Sequence, residues 1–198
     1  MAATNLSELY VEKLKDLYSA EQQILKALPK MEKAAGHADL QNAFETHRRQ
    51  TETHVQRLEQ IFEELGQSAR GKMCHGMQGI IEEGAELMKE KPEPGPLDAG
   101  LIAAAQCVEH YEMASYGSVC AWAQLLGYDE QAELLKQTLD EERETDQLLT
   151  NLAEQSVNTD AEVSMTEDEG EMADMPRRQP SRGRTGGTRS HHDRPSSR

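Results

Sequence analysis

Four stretches of this chain carry apolar residues at the three-and-four spacing of a helix. Each stripe has a carboxylate or an imidazole where a core residue belongs. In the first, Leu14, Leu17, Ile24, Leu28 and Met31 set the stripe and Glu21 falls in it. In the second, Phe44, Leu58, Ile61 and Leu65 set it, and His47, Thr51 and His54 fall in it. In the third, Leu101, Ala105, Val108, Val119, Trp122 and Leu126 set it and Glu112 falls in it. In the fourth, Leu135, Leu139, Leu149 and Leu152 set it, and Glu142 and Asp146 fall in it. Residues spaced this way line one helix face. Such faces are buried most simply against one another, which makes the chain a helix bundle. An ionised carboxylate in a core is costly unless something compensates it. Several carboxylates meeting in one core most simply imply a bound cation.

Composition supports helices over strands. Aromatic residues are only 4%, so the core rests on Leu, Ile, Met and Ala, which suits helix packing better than a sheet. No run of 18 apolar residues occurs, so no membrane span is expected. The N-terminus lacks a basic region followed by an apolar block, so no signal peptide is expected. Cys74, Cys107 and Cys120 make no disulfide framework, and a reducing cytoplasm is the expected location.

The helix boundaries follow from caps and breakers. The first helix is predicted over 6–35, with Asn5 as cap, Glu8 as its capping-box partner and Gly36 as stop. The second is predicted over 39–65, capped by Asp39 and ended by Gly66. A shorter amphipathic helix covers 74–89, and the proline-rich 91–96 breaks it. The third long helix is predicted over 98–126 with Gly127 as stop, and the fourth over 129–155. Residues 1–157 form one bundle domain and 158–198 a disordered tail. Its 160–175 segment is acidic, and 176–198 holds seven arginines and one acid.

Loop lengths fix the topology. The first two long helices are joined by a few residues and must be antiparallel neighbours, as must the last two. The middle connection, about 30 residues with its own helix, can travel the length of the bundle. The fold class is all-α: a four-helix bundle with one long crossover carrying an extra short helix.

The polar seats share one level. Glu21 lies 16 residues before the first turn at His37, and its mirror on the second helix falls between Thr51 and His54. Glu112 lies 16 residues before the second turn at Tyr128, and its mirror falls between Glu142 and Asp146. The expected ligand set is therefore Glu21, His54, Glu112, Glu142 and Asp146. His47, offset along its helix, and Glu109, at the edge of its stripe, are weaker candidates. Carboxylates with imidazole suit iron or manganese. Thr51, one turn from both histidines, is the expected outer partner for an imidazole nitrogen. Among the tyrosines, Tyr18, Tyr111 and Tyr116 are read chiefly as packing residues.

These residues carry a resemblance. Asp16-Leu-Tyr-Ser-Ala-Glu21, Lys72-Met-Cys-His-Gly-Met77, Val108-Glu-His-Tyr-Glu112 and Leu139-Asp-Glu-Glu-Arg-Glu-Thr-Asp146 resemble the YciE/YciF family of ferritin-like bacterial stress proteins. The resemblance spans about residues 8–155. It implies a ferritin-like, dimeric protein with a rubrerythrin-like di-metal centre and a ferroxidase role in stress. Ferritin-like di-iron sites take Glu-x-x-His from two helices. This chain has no such tetrapeptide: Thr51 stands three before His54, and the last helix offers Glu142 and Asp146 without histidine. The expected cofactor is iron, as one or two ions, with manganese as the other choice. The competing readings are a non-enzymatic structural stress protein with a vestigial site, and a nucleoid-associated protector that binds nucleic acid through its arginine-rich tail.

Overall fold

Asn5 begins the first helix by accepting the Glu8 amide on its side chain at 2.9 Å. The Glu8 carboxylate closes the turn on Thr4, one residue earlier than a standard capping box, through the Thr4 amide at 2.8 Å. In the computed structural model, which describes residues 3–69 and 72–162, this helix is α1 (Leu6–Ala34). It is followed by α2 (Ala38–Glu64), α3 (His75–Glu90), α4 (Pro94–Leu126) and α5 (Asp129–Leu152). The described residues form an all-α bundle, in line with the expected class. None of its helices is long and apolar enough to cross a membrane. The tail segments beyond residue 162, acidic and arginine-rich, lie outside the described residues.

Several boundaries moved, each for a local reason. Gly127 (φ 77°) ends α4 in the left-handed conformation that favours glycine. Gly36 does not play this role, because α1 stops with Ala35 in extended backbone. The α1–α2 turn is held from across the bundle instead. Asp98, nearly buried, accepts the Gly36 and His37 amides at 2.8 Å each. Asp98 is free to do so because α4 starts earlier than expected, at Pro94. Prolines suit a first helical turn because the amide hydrogens they lack would find no intrahelical carbonyl there. At the other end α5 runs into a π turn (Ala153–Val157), and helix continues to residue 162. The π turn seats Val157 in the core.

The Asp98 contact also fixes topology. It brings the start of α4 to the start of α2, so these two helices run parallel. Tyr10 near the start of α1 donates to Gln131 near the start of α5 at 3.0 Å, so those two run parallel as well. The 65–93 connection therefore spans the bundle, and α3 lies against α1 and α4.

Two apolar clusters fill the ends. One, around Ile24, Leu28, Phe44, Leu101 and Leu149, lies towards the α1–α2 turn and includes Met77 of α3. The other, around Leu14, Leu17, Leu58, Ile61 and Leu135, lies towards the α4–α5 turn. Each fully buried Leu or Ile contributes about 1.5–3 kcal/mol. Between the clusters, at mid-height, the core is polar.

Candidate metal centre

The polar mid-section draws on all four long helices. Glu21 comes from α1, His47 and His54 from α2, Glu109 and Glu112 from α4, and Glu142 from α5. All six are buried, none more than 4% exposed. They form two adjoining groups that share Glu142. In one, ligand-type atoms of Glu21, His54 and Glu142 lie within 4.8 Å of one another. In the other, His47, Glu109, Glu112 and Glu142 do.

The sequence level arithmetic put Glu21, His54, Glu112 and Glu142 together, and the structure brings these four into the cluster. Asp146, expected among the ligands, lies outside both groups. It is 23% exposed and faces away from the buried seats, with Oδ1 3.3 Å from His110 Nε2 and 3.2 Å from Gln106 Nε2. The reason is the phase of the α5 stripe. Glu142 and Leu149 are linked through a step of three and then four, so Thr145 takes the core seat and Asp146 falls beside it.

His47 and Glu109, ranked lower in the sequence, sit in the cluster. His47 is two turns from His54 along α2, yet the ring centroids stand only 6.3 Å apart. Side-chain reach closes a gap that Cα positions overstate. Glu109 is buried because α4 has neighbours on three sides, α1, α5 and the crossover helix α3. Its buried face is correspondingly wide, and Glu109 stands four after Ala105 and three before Glu112 within it.

Each imidazole commits one nitrogen to a partner on α5 and turns the other inward. His54 Nε2 lies 2.8 Å from Glu141 Oε2. Glu141 is in turn gripped by both arms of Arg57, at 2.6 and 2.8 Å. His47 Nδ1 lies 3.3 Å from the Thr145 hydroxyl. Thr51, the expected outer partner, donates to the His47 backbone carbonyl instead. Glu141, Arg57 and Thr145 were not singled out from sequence. The available signal was Arg57 one turn after His54, facing an acid beside Glu142. Tyr116, one turn after Glu112 and fully buried, donates its hydroxyl to Glu21 Oε1.

The inward atoms lack partners. Among the described residues, eight buried side-chain oxygens and nitrogens make no hydrogen bond, and all belong to these six residues: Glu21 Oε2, His47 Nε2, His54 Nδ1, Glu109 Oε2, and both carboxylate oxygens of Glu112 and Glu142. His54 Nδ1 approaches Glu142 Oε1 to 3.0 Å without the alignment of a hydrogen bond.

The cation-free protein must retain protons here. Burial pushes the Glu112 carboxyl well above the carboxylate range, and Glu21, Glu142 and Glu109 add to the effect. Burial and then Glu142 do the same to Glu109. Burial opposes charge on Glu142 too, but contact with His54 and the charge of His47 hold it below its ordinary value. Burial likewise opposes charge on His54, but Glu21, Glu141 and Glu142 together push it up to about 12. Burial keeps His47 below its ordinary value despite Glu142.

Comparison with known proteins gives a consistent family. Residues 5–162 match the family described as domain of unknown function DUF892. The chain is 41% identical over 163 residues to protein YciF of Escherichia coli (strain K12), covering 82% of this chain and 98% of that one. The crystal structure of the E. coli stress protein YciF superposes with a TM-score of 0.76 at 41% identity, over 79% of this chain and 99% of the other. YcfI from Rhodopseudomonas palustris gives a TM-score of 0.72 at 40% identity, over 74% and 94% of the two chains.

Proposed function

The chain belongs to the DUF892 family and is of the YciF type, and from that premise we propose that its buried cluster holds two divalent cations and that the protein is an iron-oxidising stress protein. The observation that carries this is the set of eight unpartnered buried atoms, confined among the described residues to Glu21, His47, His54, Glu109, Glu112 and Glu142. Leaving a buried polar atom unsatisfied costs about 1–3 kcal/mol, more if charged. A core tolerates so many in one place when a cation satisfies them together. Groups that approach closely without aligning as donor and acceptor, as His54 and Glu142 do, fit two ligands that face a third atom.

Charge supports two ions. Four carboxylates with two neutral imidazoles carry four negative charges, which two divalent cations balance. Glu21, His54 and Glu142 would hold one, and His47, Glu109, Glu112 and Glu142 the other, with Glu142 common to both. Oxygen and imidazole donors without thiolate suit iron or manganese. Iron, if bound there, would supply the redox chemistry, two Fe(II) giving up two electrons to one dioxygen, which takes up two protons to become hydrogen peroxide. The chain's own residues bind, orient and neutralise. Glu141, itself held by Arg57, fixes the His54 ring so that Nδ1 faces inward. Thr145 does the same for His47 from the opposite ring nitrogen. Tyr116 orients the Glu21 carboxylate. Glu109, Glu112 and His54, protonated in the empty protein, would release their protons as cations enter.

Anaerobic Fe(II) titration followed by oxygen pulses tests the reading. About two Fe(II) per chain are expected, with oxidation at each pulse and loss of both properties in Glu112→Ala and Glu142→Ala. An absence of saturable Fe(II) and Mn(II) binding would sink it.

A further inference from the structure

A cavity of about 50 Å³ lies under the crossover helix, and its wall reaches the cluster. Ile24 and Met31 of α1, Ile81 and Met88 of α3, and Ala105 and Val108 of α4 line it. The remaining wall includes His47 and Glu109, which belong to the cluster, while Lys30 is exposed. Apart from these three side chains the lining residues are apolar. Gly84 also lines it, where α3 comes so close to α4 that a Cβ on Gly84 would stand 3.3 Å from the Ala104 Cβ. The crossover helix gives the cluster no residue, but it forms one wall of this space.

We propose that the cavity is a binding site for dioxygen, held against the His47–Glu109 face of the cluster. The identity of the ligand follows from three constraints. Water needs two to four polar partners, and an apolar cavity otherwise stays dry. An ion would be held only at the His47–Glu109 edge, which belongs to the cluster, and finds nothing in the rest of this wall to replace its hydration. A cavity of roughly 150 Å³ takes benzene or xenon, so one a third as large admits a diatomic gas or a single xenon atom but no ring or chain. Of the two oxidants that iron oxidation uses, dioxygen and peroxide, only dioxygen is apolar. The functional sense of the site rests on the iron-oxidation reading, but its occupancy does not.

Xenon is the probe, because it is apolar and needs no metal. Crystals of the metal-free full chain pressurised with xenon should show one atom in contact with Ile24, Ile81 and Ala105, and xenon should shift the Ile24 and Ile81 methyl resonances in solution. Ala105→Leu fills the space, and Ala27→Leu fills it from α1 should the first variant fold poorly. Either should abolish xenon binding and leave the Fe(II) stoichiometry intact. Oxidation by dioxygen should slow at least 5-fold, while oxidation by hydrogen peroxide stays within 2-fold. No xenon in the wild-type cavity would overturn the proposal, as would equal slowing with both oxidants. Xenon binding without Fe(II) binding would count against the metal reading and for the cavity, so the two failures are distinguishable.

Discussion

Glu112→Met should make the protein more stable without metal and less stable with it. Glu112 is fully buried, and neither carboxylate oxygen has a partner. Its raised pKa keeps it protonated in the cation-free protein, so the cost of burying it is that of a neutral polar group rather than a charge. Methionine has a similar length and no polar oxygens, and its flexible stem adapts to the seat. Removing one unsatisfied group should return about 1–3 kcal/mol. For a domain of this size that raises Tm by roughly 2–12 °C. The metal-bound comparison has the opposite sign. A cation at 100 times its Kd stabilises the folded state by about 2.7 kcal/mol, and Glu112→Met removes two donor oxygens. Thermal unfolding in chelator and in anaerobic Mn(II), which binds without turning over, gives both numbers. The expected result is a crossing: the variant melts higher in chelator, and the wild type melts higher in Mn(II). If Glu112→Met instead lowers Tm in chelator, and Mn(II) leaves the wild type unmoved, Glu112 is part of a satisfied structural network and the reasoning fails.

Two further outcomes follow from the residues around the cluster. Glu141→Gln removes the anion that orients His54 through Nε2 and should weaken cation binding about 10–100-fold, read by Mn(II) titration calorimetry. In chelator, stability should fall as pH rises from 7 to 9. The folded pKa values of Glu109 and Glu112 lie well above the unfolded 4.5, and that of His54 is about 12 against 6.5. The folded state therefore holds protons that the unfolded state has lost. Each contributes a loss of up to about 1.4 kcal/mol per pH unit within its window. Urea melts at several pH values measure the slope, saturating Mn(II) should flatten it, and a flat or rising slope in chelator would contradict the protonation scheme.

The bundle was legible because its signals are local. Stripe periodicity gives the helices, Gly127 gives a left-handed stop, and loop lengths separate two hairpins from one crossover. What sequence could not give was contact across the bundle. Asp98 looked like a helix start and instead caps the α1–α2 turn from the far side. Glu109 looked peripheral because stripe width depends on the number of neighbours, and only the fold shows that α3 covers α4 as well. Asp146 was placed at the centre because a step of four from Glu142 is as helical as a step of three. Only the burial of Thr145 and Leu149 decides the phase.

That same phase bears on the half of the departure from the Glu-x-x-His pattern that lies on α5. Such sites place a histidine three residues after a glutamate on each of two helices. Here the seat three after Glu142 is Thr145, and the imidazole of His47 meets its hydroxyl at 3.3 Å. A histidine at 145 and one at 47 would compete for the same volume, since both seats are buried between α2 and α5. In the proposed site the imidazole absent from α5 would be delivered from α2, across the helix interface, with threonine small enough to let it in and polar enough to hold its outer nitrogen. The inner nitrogen, Nε2, then lies 3.4 Å from Glu109 Oε1 and 3.9 Å from Glu142 Oε2. A search for consecutive motifs misses this arrangement, because its two halves sit 98 positions apart in the chain. Its sequence trace is two histidines seven apart on one stripe, with a threonine, not a histidine, three after the glutamate of the facing helix.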